Sequence, residues 1–190
     1  MQALIVIDAQ NEFSGEGQRP VPNHPNILKA ILHHAVDART HGRPIAWVRH
    51  HNRPGESPAF RPNTWGAEFS PGCGPQQTAS PEKEFQKNVY GAFTGSNIGQ
   101  WLEEQKIDTV LIVGFYTHGC VATTAREAIM KDLTVLLDPN ATGSCDIDNP
   151  ALGATTADET RRSALLQLVH MGAGLIGSSS KNLIGSSSGR

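Results

Sequence analysis

The chain has 190 residues, 38% of them hydrophobic and 18% charged, with a formal net charge of −2. That length suits one domain with a sizeable core, and the apolar residues are too many and too periodic for a disordered chain. The near-balanced charge gives no reason to expect nucleic acid or an anionic membrane as partner, and no apolar run approaches the roughly 18 residues of a membrane helix.

The first element is the apolar run Ala3 to Ile7, rich in branched residues, which reads as a strand buried on both faces of a parallel sheet. The run is too short for a signal peptide, lacks a basic flank and ends at Asp8, so a cytoplasmic location is expected. Asn26 to Thr40 carries Ile27, Ile31, Leu32 and Val36 near one face and predicts a helix. Pro44 to Arg49 predicts the second strand. Asn52 to Pro81 has many Pro and Gly residues and no period, and a loop of about 30 residues is usually an active-site lid or a subunit contact. Phe85 to Tyr90 reads as a short strand, and Ser96 to Gln105 as a helix capped by Ser96. Strand Thr109 to Val113, helix Val121 to Lys131, strand Thr134 to Leu137, helix Asp158 to His170 and strand Ala173 to Ile176 follow. This alternation predicts an α/β, three-layer Rossmann-like fold: a central parallel sheet with helices on both faces and right-handed crossovers. Strands Ala3–Ile7 and Thr109–Val113 are expected at its centre. The fold is assigned to residues 1–176. The tail 177–190, which contains GSSS twice, is expected to be flexible and is left out of it.

Ligands of open parallel sheets bind beyond the carboxyl ends of the strands. Asp8 follows the first strand, Lys87 sits near the short strand, and Cys120 lies at the start of the helix after Thr109–Val113. A helix N-terminus and a nearby ammonium both favour a thiolate, and a carboxylate can take the thiol proton and return it to a leaving amine. Position alone also admits plain alternatives: a turn-forming Asp, a small buried Cys, a solvated Lys. Three cysteines, Cys73, Cys120 and Cys145, are an odd number at spacings that match no zinc pattern, and no disulfide framework is expected.

Three segments carry a resemblance. Ala3 to Phe13 has an apolar strand followed by D-x-Q-x-x-F, Lys87 to Phe93 matches K-x-x-Y-x-x-F, and Gly114 to Thr124 matches G-x-x-T-x-x-C-V-x-x-T. In this order they resemble the isochorismatase-like cysteine hydrolases, which include nicotinamidases and N-carbamoylsarcosine amidases, over residues 2 to about 176. The resemblance implies a hydrolase of small amide or ureido compounds. In it Cys120 would attack the carbonyl to form an acyl-enzyme, Asp8 would be the acid/base, and Lys87 would hold both electrostatically. It also implies a cis peptide at Phe115–Tyr116 and an oxyanion hole made by the backbone N–H groups of Tyr116 and Cys120. Phe13, Trp65, Tyr90 and His118 are candidate substrate contacts. Trp65, in the loop segment Phe60 to Phe69, would close over the substrate or pack against the loop or another subunit. Cys73 and Cys145 match no functional position and are taken as incidental. Nicotinamidases carry a metal bound by Asp-x-His after the second strand. Here that stretch reads His50-His51-Asn52-Arg53-Pro54, so no metal and no cofactor are expected. The partners implied are a small-molecule substrate and further copies of the chain, as a homo-oligomer. Two alternatives stay open: a vinyl-ether hydrolase of the isochorismatase type, working without the thiol, and a non-catalytic scaffold.

Overall fold

The computed structural model describes residues 1–176; the tail singled out above lies outside them. In chain order the elements are β1 (Gln2–Ile7), α1 (His24–Thr40), β2 (Ile45–His50), β3 (Glu82–Lys87), α2 (Ala92–Gly95), α3 (Ile98–Glu104), β4 (Thr109–Phe115), α4 (Ala122–Ile129), β5 (Thr134–Gly143), β6 (Ile147–Asn149), β7 (Gly153–Thr155), α5 (Ala157–His170) and β8 (Gly174–Leu175). Six strands form one parallel sheet in the order β3-β2-β1-β4-β5-β8. The expectation that β1 and β4 occupy the centre holds.

Alternation along β1 divides the core. Ala3, Ile5 and Ile7 face a layer that includes Ile98 and Leu102 of α3, Ala125 and Ala128 of α4, and Leu165 and Leu168 of α5. Leu4 and Val6 face Ile27, Ile31, Ala35 and Ala38 of α1, together with Ala59 and Phe60 from the long loop after β2. Full burial of an Ile or Leu side chain contributes about 1.5–3 kcal/mol, so the central strands hold both layers to the sheet. On the α1 side the irregular loop covers what a second helix would otherwise cover.

The structure moves several boundaries. The strand expected at Phe85 to Tyr90 is Glu82–Lys87, because Ile45 to His50 pair in register with Glu82 to Lys87. The α3 helix begins two residues after Ser96, yet the Ser96 hydroxyl still accepts the Ile98 N–H at 3.2 Å. The strand β5 runs on to Gly143 through Pro139. That proline is tolerated because the β4–β5 register shifts there and β8 pairs only with Leu136 and Leu137. The β6–β7 hairpin has no alternating apolar pattern to announce it.

A buried polar node ties the β2–β3 edge to α1. Trp47 is fully buried and its indole N–H reaches Glu82 at 2.8 Å, while Arg39 grips the same carboxylate at 2.8 and 3.0 Å. Burial alone would raise the Glu82 carboxyl pKa, but the donors from Arg39 and Trp47 outweigh it and hold it below the usual value.

Gly114 sits in β4 at φ +119°, and a Cβ there would lie 1.9 Å from the Ile7 carbonyl oxygen of β1. Gly114→Ala is therefore expected to cost at least about 3 kcal/mol, from backbone strain plus steric overlap with an immovable neighbour. Urea unfolding measures this; a midpoint equal to that of the parent protein would refute it.

Candidate active site

Strands leave β1 in opposite directions, toward β2 and β3 on one side and β4 and β5 on the other. The crevice at the carboxyl ends of β1 and β4 is thus the switch point of the sheet. Asp8 caps β1 with φ +52°, a left-handed conformation costly for a non-glycine residue, and it is buried. Lys87, the last residue of β3, is 3% exposed, not the solvated surface residue that position alone allows. Its Nζ donates to Asp8 Oδ2 at 2.8 Å and to Cys120 Sγ at 3.2 Å. Cys120, also buried, lies in the irregular turn Thr117–Val121 that feeds α4. The second carboxylate oxygen, Asp8 Oδ1, is buried without a hydrogen-bond partner.

The three motif segments hold this trio in place. Gln10, fully buried, clamps the end of β2: its Oε1 accepts the His50 N–H at 2.8 Å, and its Nε2 donates to the carbonyls of His50 at 3.0 Å and Ala67 at 2.8 Å. Thr124 accepts the Ala92 N–H at 3.1 Å, and Glu127 accepts those of Phe93 and Thr94, so the turn after Lys87 is bound to α4 behind Cys120. Gly95 belongs to this joint: a Cβ there would stand 2.7 Å from Lys87 Cβ. Thr117 meets Thr142 at 2.9 Å, and Thr142 donates to the Gly114 carbonyl at 2.8 Å, which anchors the turn to β4 and β5. The Phe115–Tyr116 peptide is cis.

The trio opens on a cavity of about 730 Å³. Phe13, Tyr90 and His118 line it. Phe13 meets Tyr116 edge-on at 4.8 Å between ring centroids, and His118 stacks on Tyr116 at 5.2 Å while its Nδ1 lies 3.1 Å from Ser144 Oγ. Trp65 is not in this cavity. It opens the short turn Trp65–Ala67, which is fastened to Asn11 through the Trp65 carbonyl, and the ring is 48% exposed on another part of the surface. Residues not singled out as site candidates reach the cavity too: Arg19, Asn52, Glu56 and Phe60 come from irregular segments, Asn88 is a variable position of the K-x-x-Y-x-x-F motif, and Cys145, taken as incidental, is at the wall. Cys73 is elsewhere, its thiol pushed up to about 12, chiefly by burial.

The electrostatics at Cys120 run both ways. Lys87 favours the thiolate, as expected, but burial, and next the Asp8 carboxylate, outweigh it and push the Cys120 thiol above its usual range. Burial works against the Lys87 charge, but its partners, first of all the Asp8 carboxylate, more than offset that, so the ammonium is held. The Lys87 ammonium thus stands between the Asp8 carboxyl and a thiol held toward its protonated form.

The ligand atoms of Asp8, His50 and Cys120 lie within 4.8 Å of one another, close enough for one metal ion. Lys87 Nζ is within 3.2 Å of all three residues, so a cation already stands among them. The stretch where nicotinamidases place a metal does not fit one. His51 sits by Arg49 and Glu84, the Asn52 side chain is committed to His50 and the Ala59 carbonyl, and Arg53 adds a positive charge.

Fold and site together define a doubly wound α/β protein in which a carboxylate, an ammonium and a thiol converge at the switch point. The isochorismatase domain model matches residues 2–180, and the chain belongs to the isochorismatase family. It is 30% identical to a nicotinamidase/pyrazinamidase of Mycobacterium tuberculosis over 89% of this chain and 98% of that one. It is 24% identical to an N-carbamoylsarcosine amidase of an Arthrobacter species, over 74% of this chain and 59% of that one. The crystal structure of an isochorismatase from Pseudomonas putida superposes with a TM-score of 0.83 at 26% identity, covering 92% of this chain and 86% of that one. Among the described residues no helix is long and apolar enough to cross a membrane.

Replacing Asp8 by Asn removes the negative charge and keeps the shape of the side chain. With the negative charge gone and Lys87 still present, the Cys120 thiolate forms more easily. The pH midpoint of Cys120 labelling by iodoacetamide should therefore fall in Asp8→Asn. A midpoint that rises or stays put would show that Asp8 does not hold the thiol in its neutral form.

Proposed function

We propose that the protein hydrolyses a small amide or ureido C–N bond through a cysteinyl acyl-enzyme. One observation carries the reading: beside a cavity lined by Asp8 and Cys120, a buried ammonium bridges that thiol and that carboxylate. The names of the relatives, a nicotinamidase/pyrazinamidase and an N-carbamoylsarcosine amidase, support the substrate class.

Substrate binding brings a carbonyl carbon to Cys120 Sγ. As the S–C bond forms, the thiol proton passes to Asp8, and the carbonyl π pair moves to oxygen. That oxyanion is received by the backbone N–H groups of Tyr116 and Cys120. Collapse breaks the C–N bond; Asp8 gives its proton to the leaving nitrogen, and a thioester remains. Water then attacks the thioester, losing a proton to Asp8, and the sulfur departs and is reprotonated from Asp8 as the acid is released. Lys87 stays charged throughout and stabilises whichever of Sγ and Asp8 is negative. A neutral thiol is compatible with this scheme, because a base beside the thiol takes the proton as the S–C bond forms, so no free thiolate has to accumulate. Phe13, Tyr90 and His118 form the substrate walls. An unpaired catalytic thiol persists in a reducing compartment, and the cytoplasm is the proposed location.

Turnover of an accepted amide by variants tests this reading. Cys120→Ala should abolish turnover while leaving the fold intact, and Asp8→Asn should lose about 10²–10⁴-fold in rate. Mass spectrometry of the intact protein incubated with small amides should trap an acyl adduct on Cys120. Normal turnover by Cys120→Ala would put a thiol-independent hydrolysis, such as vinyl-ether cleavage, in its place. Inactivity on every amide, with no adduct, would favour a binding scaffold.

We also propose that the protein works as a homo-oligomer. The β6–β7 hairpin holds its apolar Leu152 at 89% exposure, and an isolated two-stranded hairpin is marginal in water. Light scattering should give a multiple of the 20.4 kDa chain mass. A monomer mass at micromolar concentration would refute it.

A further inference from the structure

The buried Lys87 ammonium has three protons, and Asp8 and Cys120 take two of them. The third faces His50, the last residue of β2, whose Nδ1 lies 3.2 Å from Lys87 Nζ. An ammonium can only donate, so Nδ1 accepts and the ring proton belongs on Nε2. The opposite side of the ring demands the same arrangement. His50 Nε2 is 2.8 Å from Asn52 Oδ1, and the Asn52 amide is oriented by its other end, where Nδ2 donates to the Ala59 carbonyl at 2.8 Å. A carbonyl can only accept. Two groups of fixed polarity, Lys87 at one end and the Ala59 carbonyl at the other, thus specify one direction for the whole chain of hydrogen bonds.

The ring is held on its remaining sides as well. Gln10 clamps the His50 backbone through both its N–H and its carbonyl. Phe60 packs edge-on against the imidazole, with 5.3 Å between ring centroids. The residues that fix His50 therefore come from the segment after β1 and from the long loop after β2, not from β2 alone.

We propose that His50 is a positioning residue for the reaction: its Nε2-protonated imidazole accepts the third proton of Lys87. The other two ammonium protons are thereby fixed toward Asp8 and Cys120. This inference rests on the reading of Cys120 as nucleophile. Burial, and next the neighbouring Lys87 charge, hold His50 below its ordinary pKa despite the opposing effect of Asp8 and Glu56, which keeps the acceptor nitrogen available at neutral pH. Without that acceptor, a buried ammonium would keep one donor unpaired and could turn away from the thiol.

Two measurements test the proposal. The first needs no substitution and no substrate. Long-range proton–nitrogen NMR of the ¹⁵N-histidine-labelled protein at neutral pH should show His50 neutral with its proton on Nε2. A proton on Nδ1, or an imidazolium, would overturn the inference. The second compares His50→Asn with His50→Leu, two side chains of nearly the same shape. Asn places an oxygen where Nδ1 stands, and Leu places a methyl group there. His50→Leu should lower kcat on the order of 10–100-fold, the range a misplaced catalytic group costs, with KM little changed. It should also raise the pH midpoint of Cys120 labelling. His50→Asn should restore most of both. Equal behaviour of the two variants would reduce His50 to a packing residue and sink the proposal. Cys120→Ala, assayed alongside, tells the two failures apart: activity without the thiol would remove the nucleophile, whereas a dead Cys120→Ala beside indistinguishable His50 variants removes only the role of His50.

Discussion

The site depends on one buried ammonium. Lys87 is removed from water, and an isolated charge of that kind would cost several kcal/mol. It is tolerable because acceptors converge on it from three places: Asp8 after β1, His50 at the end of β2 and Cys120 in the turn before α4. Taking away a single partner of a buried pair typically costs about 3–5 kcal/mol, so the ammonium also makes the positions of its partners interdependent. The carboxyl ends of three strands and one turn are thereby drawn to a common point. The glycines at 95 and 114 serve that convergence by letting the chain approach more closely than a Cβ would allow.

This arrangement explains why Lys87 comes from β3, two strands away from β1, and not from a neighbour of Asp8. A lysine has the reach to pass over the end of β2 and still place its charge between Asp8 and Cys120. The strand it passes over then contributes His50 underneath the span. A shorter cation on β2 itself would take the place of that acceptor. The sheet order, with β2 between β3 and β1, thus does chemical as well as structural service.

Much of this was readable in the sequence, for physical reasons. The runs Ala3 to Ile7 and Thr109 to Val113 are apolar on both faces, which few positions other than the centre of a parallel sheet accept. Asp8 and Cys120 could be placed at a strand end and a helix start, but there a turn-forming Asp and a small buried Cys fit equally well, and their roles were implied only by the D-x-Q-x-x-F and G-x-x-T-x-x-C-V-x-x-T resemblance. Lys87 was legible only through the K-x-x-Y-x-x-F resemblance, since a lysine in isolation reads as solvated surface. His50 was passed over: weighed only as half of a metal pair with His51, it showed no partner, because Lys87 and Asn52 meet it through the fold. The net balance at Cys120 was out of reach for a related reason. A helix start can be seen in a sequence, whereas the burial and the adjacent carboxylate that outweigh it cannot. The β6–β7 hairpin escaped because its strands bury nothing and so impose no pattern.

The ammonium with its three partners and most of the cavity wall come from different kinds of structure. Asp8, Lys87 and His50 stand at strand ends in the regular sheet, and Cys120 follows β4 directly, so their mutual geometry is set by strand pairing and register. While Tyr116 and His118 come from the stretch that leads to Cys120, much of the wall, from Phe13 and Arg19 to Glu56, Phe60, Asn88 and Tyr90, stands on the irregular segments after β1, β2 and β3. Changes there alter the shape and polarity of the cavity without disturbing the register that aligns the trio. Phe60 and Asn52 are exceptions: both line the cavity and both support His50, through ring contact and hydrogen bond. At those two positions, substrate fit and the placement of the ammonium cannot vary independently. A substitution at either should alter discrimination between substrates and the rate of the chemical step together, whereas one at Asn88 or Tyr90 should alter discrimination alone.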